Sequence, residues 1–116
     1  MGNEAKRVND GNVRTRWSAK GFSQSVTIDL KTSHRLSNAM VVPHSDRAYQ
    51  YRIETSTDKA RWRLSVNRTT NTAHGTRLDD FTAGVVNARY VRLTVTGVHR
   101  STSTWVSIQE FAVYDR

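Results

Sequence analysis

Two stretches of the 116-residue sequence combine residue types that can hold a ligand. The first is NDGNVRTRW at 9–17. Asp10, Gly11 and Asn12 can form a tight loop with its oxygens turned inward, and Thr15 adds a hydroxyl and a carbonyl. Calcium takes roughly six to eight hard oxygen ligands, many of them backbone carbonyls of a turned loop. An ordinary Asp-Gly turn has the same spacing, and spacing alone does not separate the two. The second is RSTSTW at 100–105, where Trp105 ends a polar run and reads as a loop-tip aromatic. Packing against a neighbouring loop is the plainer reading of that indole.

Catalytic signatures are missing. The sequence has no GxSxG, HExxH, P-loop or paired-carboxylate pattern. It has no cysteine, which excludes disulfides, thiolate metal sites and a Cys nucleophile. His34, His74 and His99 lie in polar turns too scattered for a zinc set. The expectation is a binding protein and not an enzyme. Asn67-Arg68-Thr69 is a glycosylation sequon, relevant only in a eukaryotic secretory setting.

Net charge is +8, carried by 14 Arg and 4 Lys against 10 acidic residues. Arginine makes bidentate contacts with carboxylates, sulfates and phosphates that lysine cannot copy. An anionic partner therefore stands beside the simpler reading, a solubilised surface, which the even spread of the charges favours. No apolar run is long enough to cross a membrane. No signal peptide is recognised, and Met1-Gly2 is expected to be an added start from which any native targeting segment was cut.

The elements that must position such residues read as strands. Residues 24–30 alternate Val26, Ile28 and Leu30 against Ser25, Thr27 and Asp29, a period of two with one buried face. Residues 50–56 place Tyr51, Ile53 and Thr55 together. Residues 61–66 place Trp62, Leu64 and Val66 together, and 88–96 place Val91, Leu93 and Val95 together. The segment 104–115 is rich in β-branched and aromatic residues, and Pro43 closes an apolar stretch as a strand end or edge. Turn chemistry lies between, at 9–12, 56–60 and 67–76. No useful helical stripe, repeat or linker appears, so residues 1–116 read as one all-β sandwich or barrel domain. Trp17, Trp62, Tyr51, Phe81, Tyr90 and Phe111 are expected in its core.

The motifs DGNVRTRW (10–17), SVTIDL (25–30), YRIETSTDKARW (51–62), FTAGVVNARYVRLTV (81–95) and SIQEFAVY (107–114) follow the order seen in discoidin domains. The sequence thus resembles the coagulation factor V/VIII type C family, and within it the family 32 carbohydrate-binding modules, from about residue 5 to 115. The resemblance implies a jelly-roll β-sandwich of the galactose-binding type. Family members usually carry a leading strand before the DGN motif; here it is expected to be trimmed or absent, leaving its neighbour as an exposed edge. The disulfide that usually ties the termini of the coagulation-type branch is impossible without cysteine, so the bacterial sugar-binding branch is the nearer likeness.

That likeness implies a structural calcium between Asp10, Asn12, Thr15 and Glu110, with the carbonyls of Arg7 and Gln109 completing the shell. A salt bridge from Glu110 to an arginine such as Arg16 is the alternative. It also implies a sugar site of His44, Arg68, Asn71 and Trp105, with Arg47 and Tyr49 in reserve. Sugars are held by an aromatic face plus a few polar groups that read hydroxyl orientation. The implied function is to target a parent enzyme or surface protein, secreted or on the cell surface, to a galactose-type or acidic glycan. A protein- or phospholipid-interaction domain is the second reading, with Trp105 and Phe22 as the insertable groups. Nucleic acid comes third, on charge alone.

Overall fold

The structure is a computed structural model that describes residues 12–44, 47–101 and 105–115, with the backbone alone at 12–16 and 115. Its elements are β1 (Asn12–Lys20), β2 (Gln24–Pro43), β3 (Tyr49–Ser56), β4 (Arg63–Arg68), β5 (Arg77–Asp80), β6 (Val86–Val98) and β7 (Trp105–Asp115). All paired strands are antiparallel, in the order β1-β7-β2-β6-β3-β4, with β5 on β2. No helix occurs among the described residues. The segment before Asn12, where the family would carry its leading strand, lies outside the described residues.

Strand β2 makes this order into a sandwich. Its first half pairs with β6 from Gln24 to Leu36, and its second half pairs with β7 and β5 from Leu36 to Pro43. The inward residues change phase past the crossing, from Ile28, Leu30 and Leu36 to Ala39, Val41 and Pro43, where the register against β7 shifts between Leu36 and Asn38. One residue out of step turns every later side chain to the other face. A separate irregularity against β6, between Asp29 and His34, contains Lys31, which has a φ of 73° and whose N–H is capped by Asp29 Oδ1 at 2.8 Å. The sequence reading ended a strand at residue 30. The polar stretch KTSHR that suggested a break is the outer corner of a single strand.

A second phase change shapes β7. Thr15 pairs with Phe111 and Trp17 with Ile108, so two β7 residues, Gln109 and Glu110, oppose Arg16 alone. The same bulge shows against β2, where Val42 pairs with Glu110 and Pro43 with Ile108. Val106 and Ile108 point inward before it, Phe111 and Val113 after it. The core between the sheets holds Trp17, Ile28, Val41, Tyr51, Ile53, Leu93 and Phe111, among others.

Two expected core residues are placed elsewhere. Trp62 is half-buried ahead of β4, and Tyr90 stands half-buried on the outer face of β6 between Arg89 and Lys59. A bulge at Ser65 separates the pairs Ile53–Val66 and Glu54–Leu64. It turns Leu64 out to 49% exposure and buries Ser65, whose hydroxyl meets Thr55 Oγ1 at 2.9 Å.

Candidate functional site

The strand ends gather the chemistry at one pole of the sandwich. Lys20 pairs with Trp105, Tyr49 with Val98 and Tyr51 with Arg68. The described residues of the connections, 21–23, 44, 47–48, 69–76 and 99–101, therefore all emerge at this end. His44, directly after β2, is exposed, and its N–H donates to the Ser107 carbonyl at 2.9 Å.

Tyr49 ties these loops together. It is 3% exposed, and its hydroxyl donates to the Trp105 carbonyl at 3.1 Å while accepting from the Ser107 N–H at 2.9 Å and Arg47 Nη1 at 2.7 Å. Arg47 Nη1 also reaches the Trp105 carbonyl at 3.4 Å, and the His99 N–H donates to the Ala48 carbonyl at 2.9 Å. The Trp105 side chain remains 50% exposed. The result is an indole fixed at its backbone and open to solvent along its side chain.

Asn71 holds the neighbouring loop. It is 8% exposed, and its Nδ2 donates to the carbonyls of Tyr49 at 2.9 Å and Ala73 at 3.0 Å, while its Oδ1 accepts from the Ala73 N–H at 3.2 Å. Gly75, at a φ of +86° that favours glycine, donates its N–H to the Arg47 carbonyl at 3.1 Å. Arg68 is tied down differently. Its Nη2 and Nε lie 2.6 and 2.7 Å from Asp79 Oδ1, and Asp79 is 3% exposed. The Tyr51 hydroxyl donates to the other Asp79 oxygen. Burial first, and then the bond to Asp79, push the Tyr51 phenol far above its ordinary range, while the bond to Asp79 raises the Arg68 guanidinium.

The four predicted sugar residues thus share one pole but differ in accessibility. Trp105 and His44 are open, Arg68 presents one partly exposed guanidinium, and the Asn71 amide is spent on its loop. Arg47 and Arg77 line the same surface beside Tyr49 and Gly75. Tyr49 falls in step with Tyr51, Ile53 and Thr55, so the alternation that located β3 carries its signal too.

Of the proposed metal ligands, Asp10 and the side chains of Asn12 and Thr15 lie outside the description. Glu110 is half-buried on the β7 bulge, one residue from the partner of Thr15. The bulge that carries Glu110 faces Arg16 of β1, and Glu110 is the member of the set whose side chain is described. No cluster of three His, Cys, Asp or Glu occurs among the described residues.

With this geometry in view, the family profile described as F5/8 type C domain matches residues 1–111. The chain belongs to the F5/8 type C domain family. Among solved structures, this F5/8 type C domain is similar to the CBM32 of AlyQ in complex with 4,5-unsaturated mannuronic acid, at 30% identity and a TM-score of 0.68, over 86% of this chain and 77% of that one. It is similar also to chitosan-binding module 1 of the chitosanase/glucanase from Paenibacillus sp. IK-5, at 26% identity and a TM-score of 0.72, over 86% and 76%. A third likeness is CpGH89CBM32-6 of Clostridium perfringens, at 25% identity and a TM-score of 0.72, over 88% and 77%. No curated protein matches in sequence. The jelly-roll sandwich expected from the sequence is the fold of these neighbours.

Proposed function

We propose that this F5/8 type C domain is a non-catalytic glycan-binding module whose loop pole holds a sugar against Trp105. The observation that carries the reading is the clamped yet half-exposed indole, with its carbonyl held by Tyr49 and Arg47. A ring that is already ordered loses little entropy on binding, and its face suits the C–H side of a pyranose. His44, Arg47 and the free side of Arg68 supply polar groups around it. The basic loop pole favours an acidic sugar, in keeping with the mannuronic acid bound by the 30% identical CBM32 of AlyQ. The Asp79 carboxylate beside Arg68 is committed to Arg68 and Tyr51, which suits holding a ligand and not transforming it.

In this reading a structural calcium is held by Asp10, Asn12, Thr15 and Glu110, and it stiffens the start of β1 against β7. Glycans of this kind lie outside cells, so the domain acts secreted or at the cell surface, as an appendage to a glycoside-active partner. A module beside an alginate lyase domain occurs in truncated AlyQ.

Titration calorimetry of wild type and Trp105→Ala against oligomannuronate, galactose and chitosan oligosaccharides tests the proposal. Binding to one series, weakened at least about tenfold in the variant at unchanged Tm, is expected. Absence of binding to all three, or equal binding by the variant, overturns it. One observation favours a second reading: Phe22, 38% exposed, stands on the loop beside Trp105. Two exposed aromatics, one at the start of β7 and one on the turn after β1, suit a lipid surface, and co-sedimentation with anionic vesicles, lost in Phe22→Ser, would support that reading instead.

A further inference from the structure

A second concave site lies at the opposite pole. The β3–β4 connection and the start of β6 enclose a groove of about 490 Å³, lined by Thr57, Arg61, Trp62, Arg63, Val86 and Asn87 among others. Ligand pockets commonly span about 300–1,000 Å³. Tyr49 pairs with Val98 at the loop pole and Ser56 with Tyr90 towards the other end, so the length of β3 separates this groove from Trp105.

Three features of the groove go together. Its lining is mostly polar, with the buried Thr55 and Ser56 beside Val86, which is 4% exposed, and the half-buried Trp62 supplies its one aromatic surface. One side of the indole is fixed by the Arg92 guanidinium, 4.0 Å from the ring centre and itself held to Glu54 at 3.0 Å. The mouth is cationic. Arg52, Arg68, Arg89 and Arg92 are each paired with a carboxylate, but neither Arg61 nor Arg63 forms an ion pair among the described residues. Asp58, the acid in that connection, is occupied by the N–H groups of Ala60 and Arg61 at 2.9 and 2.8 Å and by the Ser56 hydroxyl. Those bonds also hold the connection in a fixed shape, so the groove is preformed.

An ordered indole, two guanidinium groups without an ion pair among the described residues, an exposed hydroxyl on Thr57 and an exposed amide on Asn87 make a set that recognises one kind of ligand. The indole takes the apolar face of a sugar ring, the arginines take its anion, and the hydroxyl and amide read its remaining oxygens. The volume fits a ring or two and is too small for a nucleic-acid duplex. We propose that this groove is a second glycan site, specific for a saccharide carrying a carboxylate or sulfate. The domain then has two glycan sites at opposite poles and can engage two chains, or one chain twice, with the gain in avidity that follows. The site stands whether or not Trp105 binds sugar.

The test is a two-dimensional NMR titration of the isotope-labelled domain with an oligomannuronate and, in parallel, a neutral galacto-oligosaccharide. The indole N–H of Trp62 and the side-chain amide of Asn87 report on the groove, and the indole N–H of Trp105 reports on the loop pole. The acidic oligosaccharide should shift the groove reporters saturably and the neutral one should not. Arg61→Ala/Arg63→Ala, which alters only exposed side chains, should weaken that response at least about tenfold while leaving the Trp105 response within about twofold. A groove that stays silent to the acidic sugar overturns the proposal. So does a response that sodium sulfate alone reproduces, or one that an acidic peptide elicits at lower concentration. Loss of the Trp105 response with the groove response intact would fail the loop-pole reading alone.

Discussion

Removing the Tyr49 hydroxyl, as Tyr49→Phe, tests the loop pole at its centre. The hydroxyl makes three hydrogen bonds, two of them to β7 backbone groups at Trp105 and Ser107. The Phe ring fills the same space, so the perturbation is polar alone. These backbone groups are only part-buried, so each costs about 1–2 kcal/mol when left without this partner, the lower part of the range for buried groups. Arg47 can still approach the Trp105 carbonyl, which lowers the cost there, so the sum is about 2–3 kcal/mol. The unfolding entropy of a domain this size is about 0.24 kcal/mol/K, so each kcal/mol moves Tm by about 4 °C. Tm should therefore fall by about 8–12 °C. Scanning calorimetry measures this, and ligand titration measures the second effect: a freed Trp105 backbone should weaken oligosaccharide binding severalfold at temperatures where the variant is folded. A Tm drop below about 3 °C would refute the energetic reasoning. A large drop with unchanged binding would refute the idea that the hydroxyl positions the indole.

Three further outcomes follow from other parts of the molecule. Asp79→Asn keeps an acceptor for Tyr51 but leaves Arg68 without its counter-charge. Because the Arg68 side chain is 43% exposed, the cost in urea denaturation should be about 2–3 kcal/mol, below the 3–5 of a fully buried pair. Asp29 has its pKa lowered from 3.8 to about 2, first by its hydrogen bonds from Arg89 and then by the Lys31 N–H. A depressed folded-state pKa gives stability that is present above pH 4 and lost as pH falls towards 2, so Asp29→Asn should flatten the Tm profile across that window. Calcium at about a hundred times its Kd should stabilise by about 2.7 kcal/mol, and Glu110→Gln should abolish that response; no thermal shift in wild type would remove the calcium proposal.

Much of the fold could be read from alternation, and the departures lie at bulges, at a corner and in one short strand. Val26, Ile28 and Leu30, or Val91, Leu93 and Val95, lie inward as a period of two requires. A bulge inserts one residue without altering composition, so the sequence could not show that Leu64 turns out or that Phe111 and Val113 follow Ile108 out of phase. The β2 corner looked like a loop because its residues face solvent on both sides. Strand β5 has only four residues, too few for a periodic signal, and Asp79 within it gave no sign of its buried partnership. The loop pole was legible in part. His44, Arg68, Asn71 and Trp105 do share it, but whether a side chain reaches solvent or braces a loop depends on contacts far apart in the chain. Asn71 with Tyr49, 22 residues away, is the clearest case.

The antiparallel pairing of β1 with β7 also fixes how the domain carries load. Asn12 pairs with Tyr114 at one end and Lys20 with Trp105 at the other. A tug between a ligand held at Trp105 and the Asn12 end of β1 runs parallel to both strands. Their crosswise hydrogen bonds then share the tension and shear together, where a pull parting Asn12 from Tyr114 would open them rung by rung. An anchor at the Trp105 pole thus loads the sandwich in its mechanically stronger direction.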